Sequence, residues 1–151
     1  MPSRLSRIAV AWLAGSVVAY ALASIAHTQT VLAGLTALGV SVPLAERAAT
    51  TAADLIGLWR YALVIGIGFA LGLVLMRLLS GRAVPLTRTA GAVIAGALAM
   101  AVILGSMRFA FAFTPIASAR EPLGFALQCA AGATGGWIYG RLQRPPHRGD
   151  G

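Results

Sequence analysis

The chain has 151 residues, of which 58% are hydrophobic and 11% are charged, whereas soluble domains usually carry about a quarter charged residues. This composition argues strongly against a water-soluble fold, and the length allows one small helical bundle. All twelve basic residues are arginines and four residues are acidic, which gives a net charge of +8. Eight of the arginines lie in three short segments that flank apolar blocks, and the arginines form no basic stripe with interleaved aromatics, so we expect no nucleic-acid partner.

Four apolar blocks are long enough to cross a bilayer, which takes roughly 20 helical residues. We therefore predict an all-α integral membrane four-helix bundle, in one domain over residues 1–144, followed by a polar, disordered tail over residues 145–151. The predicted spans cover about residues 8–26, 59–79, 89–113 and 122–142. Gly81 and Pro85 end the second span, and Thr114-Pro115 breaks the third.

Residues 1–23 admit a second interpretation. A basic start, an apolar stretch and Ala21-Leu22-Ala23 also describe a cleavable signal peptide. The apolar stretch exceeds the usual signal core of about 7–15 residues, which favours a membrane span, but cleavage stays an alternative.

The segment over residues 28–58 separates the first two spans. Its apolar piece, residues 31–42, is too short to cross, and is either re-entrant or interfacial. Thr28 or Thr30 is a cap for a short helix ending around Gly39. Pro43 then opens a second helix. We expect this second helix to be amphipathic and to lie on the membrane or over the bundle. Ser41 is its predicted cap, and its shared apolar face consists of Leu44, Ala48, Leu55 and Leu58.

The distribution of arginines predicts the orientation. Four spans place eight arginines on one side, which the positive-inside rule assigns to the cytoplasm together with both termini. These are Arg4, Arg7, Arg77, Arg82, Arg88, Arg141, Arg144 and Arg148. The plan resembles that of small four-span proteins of bacterial inner membranes, and we expect that location, with membrane lipids as partners.

Small residues indicate how the helices associate, because helices in lipid pack closely through residues that let backbones approach. The predicted packing positions are Gly15, Gly68, Gly72, Gln128, Gly132, Gly136 and Gly140. This glycine zipper serves either internal packing or contact with a second copy or a larger membrane complex. Cys129 lies in an apolar block and is expected to be a small buried hydrophobe.

Few polar residues lie at membrane depth, where each is a candidate for function. Arg108 lies inside the third span, and pairs with Asp54 or Glu46, reaches the interface, or forms an anion site. In the last case Arg60 and Arg120 join it, with His27 and Gln29 as further ligand-binding candidates in an outer-leaflet pocket. We expect no metal and no cofactor.

The sequence contains no recognisable catalytic constellation, so we predict that the protein is not an enzyme. The leading hypothesis is a non-catalytic accessory or structural subunit of a membrane complex or homo-oligomer. The alternative is a binding or transport module for a lipid, a quinone or a small anionic molecule.

Overall fold

The computed structural model describes residues 3–79, 86–111 and 116–143. Over these residues the chain forms five α-helices, one short 3-10 helix and no strand. The helices are α1 (Arg4–Ala37), α2 (Leu44–Gly57), α3 (Trp59–Leu79), α4 (Arg88–Phe111), the 3-10 helix (Ala117–Arg120) and α5 (Pro122–Leu142). The all-helical prediction is confirmed, whereas the tail and the predicted breaks at Gly81, Pro85 and Thr114-Pro115 lie outside the described residues.

Three of the described helices, α1, α3 and α4, are long and apolar enough to cross a membrane. Four spans were predicted from the sequence, and the fourth of them, α5, does not reach the same hydropathy. Five glycines, Gln128 and Thr134 lie within α5 and lower its mean hydropathy.

The first helix is longer than predicted. No break occurs near Thr28 or Thr30, and α1 runs unbroken for 34 residues to Ala37. Neither threonine caps a helix, because each donates its hydroxyl to a carbonyl of α1 four residues earlier, Thr28 to Ser24 and Thr30 to Ala26. The end near Gly39 is found as expected, with a φ of 86° that favours glycine.

The second helix begins at Leu44 with Pro43 as its N-cap residue and no side-chain cap, so the predicted cap by Ser41 is wrong. Proline fixes φ near the helical value and provides the start without a hydroxyl cap. After α2, Leu58 makes a turn and α3 begins at Trp59.

Helices α1, α3, α4 and α5 pack with α1 and α4 as the neighbours of both α3 and α5. Helices α1 and α5 are antiparallel, because Gly15 lies against Gly135 and Ala23 beside Gln128. Helices α3 and α4 are antiparallel as well, because Gly68 lies against Ile103 and Gly72 against Ala95. Phe69 of α3, 2% exposed, occupies the centre. Its ring fits between Gly15 and Gly96, where added Cβ atoms would approach the ring to 2.9 and 3.3 Å.

One end of the molecule carries most of the described arginines and is called the arginine-rich end. It contains Arg4, Arg7, Arg77, Arg88 and Arg141, at the beginnings of α1 and α4 and at the ends of α3 and α5. The opposite end carries α2, the 3-10 helix and the C-terminal part of α1.

Candidate functional site

Gln128 of α5 is the centre of a buried polar cluster. It is 0% exposed, and its amide is bonded on both sides. The Tyr61 hydroxyl of α3 donates to Gln128 Oε1 at 3.1 Å, and Gln128 Nε2 donates to the Ala23 carbonyl of α1 at 3.0 Å. One side chain thus connects three helices at the same level, and an amide at this depth is costly without such partners.

The cluster continues to a histidine through Ser118 of the 3-10 helix. Gln128 Nε2 lies 3.3 Å from the Ser118 hydroxyl, which lies 3.1 Å from His27 Nδ1. A serine hydroxyl accepts and donates at once, so Ser118 can accept from Gln128 and donate to His27 Nδ1. This chain fixes the 3-10 helix to α1 and α5 and orients the half-buried His27 ring.

A second set of polar contacts joins α2 to the C-terminal part of α1. The Thr28 hydroxyl donates to Asp54 Oδ2 at 2.6 Å, and Gln29 Nε2 donates to Thr51 Oγ1 at 3.0 Å. The guanidinium of Arg47 donates both to Gln29 Oε1, at 3.2 Å, and to a hydroxyl further along α1. That hydroxyl belongs to Thr36, at 3.0 Å. We call residues 28–57, held by these contacts, the α1–α2 hairpin.

In the hairpin, α2 is oriented opposite to a surface helix of a soluble protein, with its polar side toward α1 and its apolar side exposed. Its polar residues Arg47, Thr50, Thr51 and Asp54 are partly buried on the side toward α1. The opposite face is exposed and consists of alanines and one isoleucine, with Ile56 at 77% exposure. We call this face, formed by Ala45, Ala48, Ala49, Ala52, Ala53 and Ile56, the apolar face of α2. An amphipathic helix was predicted here, but Leu55 and Leu58, which were assigned to its apolar side, are partly buried.

The predicted ligand-binding residues are spread over this end of the molecule. Gln29 lies within the α1–α2 hairpin and His27 beside Ser118, as described above. Arg60 is exposed, with its guanidinium 5.4 Å from the ring centroid of Trp59. Arg120 is exposed at the end of the 3-10 helix. Arg108 is exposed on α4, and within the described residues it forms no ion pair with Asp54 or Glu46. Asp54 accepts a hydrogen bond from Thr28.

Most of the predicted packing glycines lie at close contacts between helices. A Cβ at Gly132 would overlap Gly96, one at Gly136 would overlap Ala92, and one at Gly140 would lie 2.7 Å from Thr89 Cα. On the other side of α5, Gly135 lies against Gly15 of α1. The glycine ridge of α5 is therefore occupied by α4 and α1 of the same chain.

Between α3 and α4 the glycine contacts are similar. A Cβ at Gly68 would lie 2.6 Å from Ile103 Cδ1, and one at Gly72 would lie 3.0 Å from the Ala95 carbonyl oxygen. Ile103 can change rotamer to relieve the first contact, whereas the Ala95 backbone cannot. Gly72 is therefore the more restrictive of the two positions.

Sequence reasoning missed the residues that complete these clusters. Ser118 and Thr51 were not predicted as site residues, and Asp54 was considered only as a partner of Arg108. Their hydrogen-bond partners lie 91, 22 and 26 residues away in sequence, so no local sequence pattern predicts these contacts. Within residues 3–79, 86–111 and 116–143, no three His, Cys, Asp or Glu side chains come together as metal ligands would. Comparison with known proteins finds no matching family model, curated protein or solved structure.

Proposed function

We propose that this chain is a non-catalytic accessory subunit of a bacterial inner-membrane complex, which docks on a partner protein through the apolar face of α2. In this proposal the chain crosses the membrane four times, with both termini on the cytoplasmic side. The α1–α2 hairpin then stands on the outer side.

The path of α5 supports a fourth crossing. It runs antiparallel to α1 over nearly its whole length, from Gln128 beside Ala23 to Gln143, whose amide donates to the Arg7 carbonyl at 3.1 Å. A helix that follows a membrane span from one end to the other crosses the same thickness. Four crossings also place the arginine-rich end on one side, which the positive-inside rule assigns to the cytoplasm.

The docking proposal rests on the orientation of α2, whose polar side faces α1 and whose apolar side is exposed. Each polar side chain of its inner face makes at least one hydrogen bond to α1 or within its own helix. The apolar face of α2, with the exposed Glu46 at its edge, is turned away from these contacts. Exposed apolar helix faces of this kind mark contact with lipid or with another protein.

The length of α1 favours a protein over lipid tails. Its 34 residues extend about 51 Å at about 1.5 Å per residue, whereas a hydrocarbon core is about 30 Å thick. With Arg4 and Arg7 at the cytoplasmic surface, the part of α1 beyond about Thr28 lies outside that core. Because α2 packs against this extension, lipid tails do not cover most of its apolar face.

The chemistry of the face indicates the kind of partner. It carries no charge, and its five alanines allow another helix to approach closely. Leu38 and Leu44, 81% and 82% exposed, extend the apolar surface at the tip of the hairpin. The partner that fits is an uncharged, apolar helix surface of a second membrane protein, at the outer boundary of the bilayer.

The test is native mass spectrometry of the protein extracted gently from its own membrane. We compare Ala52→Arg, on the apolar face, with Ala117→Arg, an equally drastic change of an exposed alanine in the 3-10 helix at the same end. We expect the wild type and Ala117→Arg to retain one partner at fixed stoichiometry. Ala52→Arg should bind that partner at least about tenfold more weakly, because the substitution forces a charge into an apolar contact.

A monomeric wild type, or a complex that Ala52→Arg leaves intact, would contradict the docking proposal. A complex of identical chains that depends on Ala52 would replace the second protein with a second copy. Circular dichroism of both variants checks that the helices are retained.

The outer-leaflet pocket for a lipid, quinone or anion stays an alternative. Arg60 and Arg108 are exposed and His27 is turned toward Ser118, so no observation favours it over the accessory subunit.

A further inference from the structure

A cavity of about 320 Å³ lies at the arginine-rich end, far from the α1–α2 hairpin. Four helices line it, each contributing residues from its last or first turns. Arg4 comes from α1, Arg77 from α3, Arg88 from α4 and Tyr139 from α5. A volume of this size is at the lower end of the range of small-molecule sites, roughly 300 to 1,000 Å³.

Among the described residues, the cavity concentrates positive charge without an acid to balance it. Arg4, Arg77 and Arg88 line it, and the described part of its lining includes no aspartate or glutamate. Three of the four acidic residues of the chain, Glu46, Asp54 and Glu121, lie at the opposite end, and the fourth, Asp150, lies outside the described residues. Within the described residues, neither Arg4, Arg77 nor Arg88 has an ion-pair partner, so the site favours an anion from outside the chain.

The rest of the lining narrows the class of anion. Leu73 and Met76 of α3 form part of an apolar wall beside the arginines. Tyr139, whose ring is held edge-on to Phe69 with centroids 6.2 Å apart, is a further lining residue and the only one among the described lining residues with a phenol group. Guanidinium forks bind phosphate oxygens with two parallel hydrogen bonds, and an aliphatic wall accommodates the first carbons of an acyl chain.

We propose that this cavity binds the phosphate group of an anionic phospholipid, with Arg4, Arg77 and Arg88 contacting the phosphate oxygens and Leu73 and Met76 contacting the adjoining chain. The arginines at this end then hold a defined lipid in addition to setting the orientation of the helices. The site is separate from the apolar face of α2 and does not require a protein partner.

The experiment measures lipid binding to the detergent-solubilised full-length protein by native mass spectrometry. Phosphatidylglycerol and phosphatidylcholine with the same acyl chains are titrated in turn, and inorganic phosphate is added as a competitor. The variants are Arg77→Gln and Arg88→Gln. The matched control is Arg141→Gln, because Arg141 lies at the same end but has its guanidinium over Trp137, 4.8 Å from the ring centroid, and does not line the cavity.

We expect the wild type and Arg141→Gln to bind phosphatidylglycerol at least about tenfold more tightly than phosphatidylcholine. Arg77→Gln and Arg88→Gln should each weaken that binding about tenfold, the effect of losing one charge-assisted hydrogen bond. Because these arginines are exposed, both variants should keep the melting temperature of the lipid-free protein.

Equal binding of the two lipids would overturn the proposal, as would a loss in Arg141→Gln as large as in Arg77→Gln. Phosphate that binds alone and displaces the lipid at equal concentration would overturn the lipid assignment in favour of a soluble phosphate ester.

Discussion

Gly96→Ala should loosen the whole packing of α4 against α5. A Cβ at this position would lie 2.8 Å from the Gly132 carbonyl carbon, closer still to its oxygen, and 3.3 Å from the Phe69 ring. Non-bonded carbon atoms prefer about 3.5–4.0 Å, so the two helices must separate by about 1 Å, which forfeits a quarter to a half of the dispersion energy at the contacts affected. Because backbone blocks the new methyl group, we expect a cost near the upper end of the usual overpacking range, about 3 kcal/mol.

The control is Gly105→Ala in the same helix, where a Cβ would meet nothing within 4 Å. This variant should lie within about 1 kcal/mol of the wild type, on the stabilising side, since alanine is the better helix former. The assay is reversible unfolding from mild detergent into dodecyl sulfate, followed by tryptophan fluorescence. Equal stability of Gly96→Ala and Gly105→Ala would refute the close α4–α5 contact.

Two further changes test the polar clusters. Gln128→Leu removes the amide that links three helices and should lower the free energy of unfolding by about 1 kcal/mol in the same assay. Ser24→Ala should be neutral or stabilising, because the buried Ser24 hydroxyl has no hydrogen-bond partner among the described residues. A larger loss of stability in Ser24→Ala than in Gln128→Leu would contradict the hydrogen bonds described here. Asp54→Ala removes the acceptor for Thr28 and should speed amide hydrogen exchange across α2 severalfold. Glu46→Ala, which changes an exposed side chain of the same helix, should leave the exchange rates unchanged. Equal rates of amide hydrogen exchange in the two variants would show that the contact to Asp54 does not hold the hairpin.

The approximate bounds predicted for α3 and α5 agree with the structure, because each helix is bounded by clear signals, although α5 does not reach the hydropathy expected of a span. Trp59 and Pro122 mark the starts, and both helices end where arginines follow the apolar run. The extent of α1 was predicted poorly for a physical reason. His27 and Thr28 indicate where hydrophobic surroundings end, but a helix stops only where its backbone geometry changes, and no glycine or proline follows until Gly34.

The interior of the candidate site depended on tertiary contacts that sequence does not reveal. Gln128 was predicted as a packing position, but nothing local in the sequence shows that Tyr61 lies beside it. The second helix was predicted to be amphipathic, but nothing local shows that Thr28 and Gln29 lie opposite its polar side. The arginine-lined cavity was not predicted either. The arginines were assigned to loops to predict the orientation, and the sequence does not show which of them lie close together in space.

Cysteine accessibility tests the proposed topology most directly. In a Cys129→Ala background, single cysteines replace Glu46, Ala117, Thr87 and Gln143, and intact cells are treated with a membrane-impermeant maleimide. Four crossings predict that Glu46→Cys and Ala117→Cys are labelled, while Thr87→Cys and Gln143→Cys react only after the membrane is permeabilised. Labelling of Gln143→Cys in intact cells, together with Ala117→Cys, would show that α5 does not cross and would contradict the four-span account.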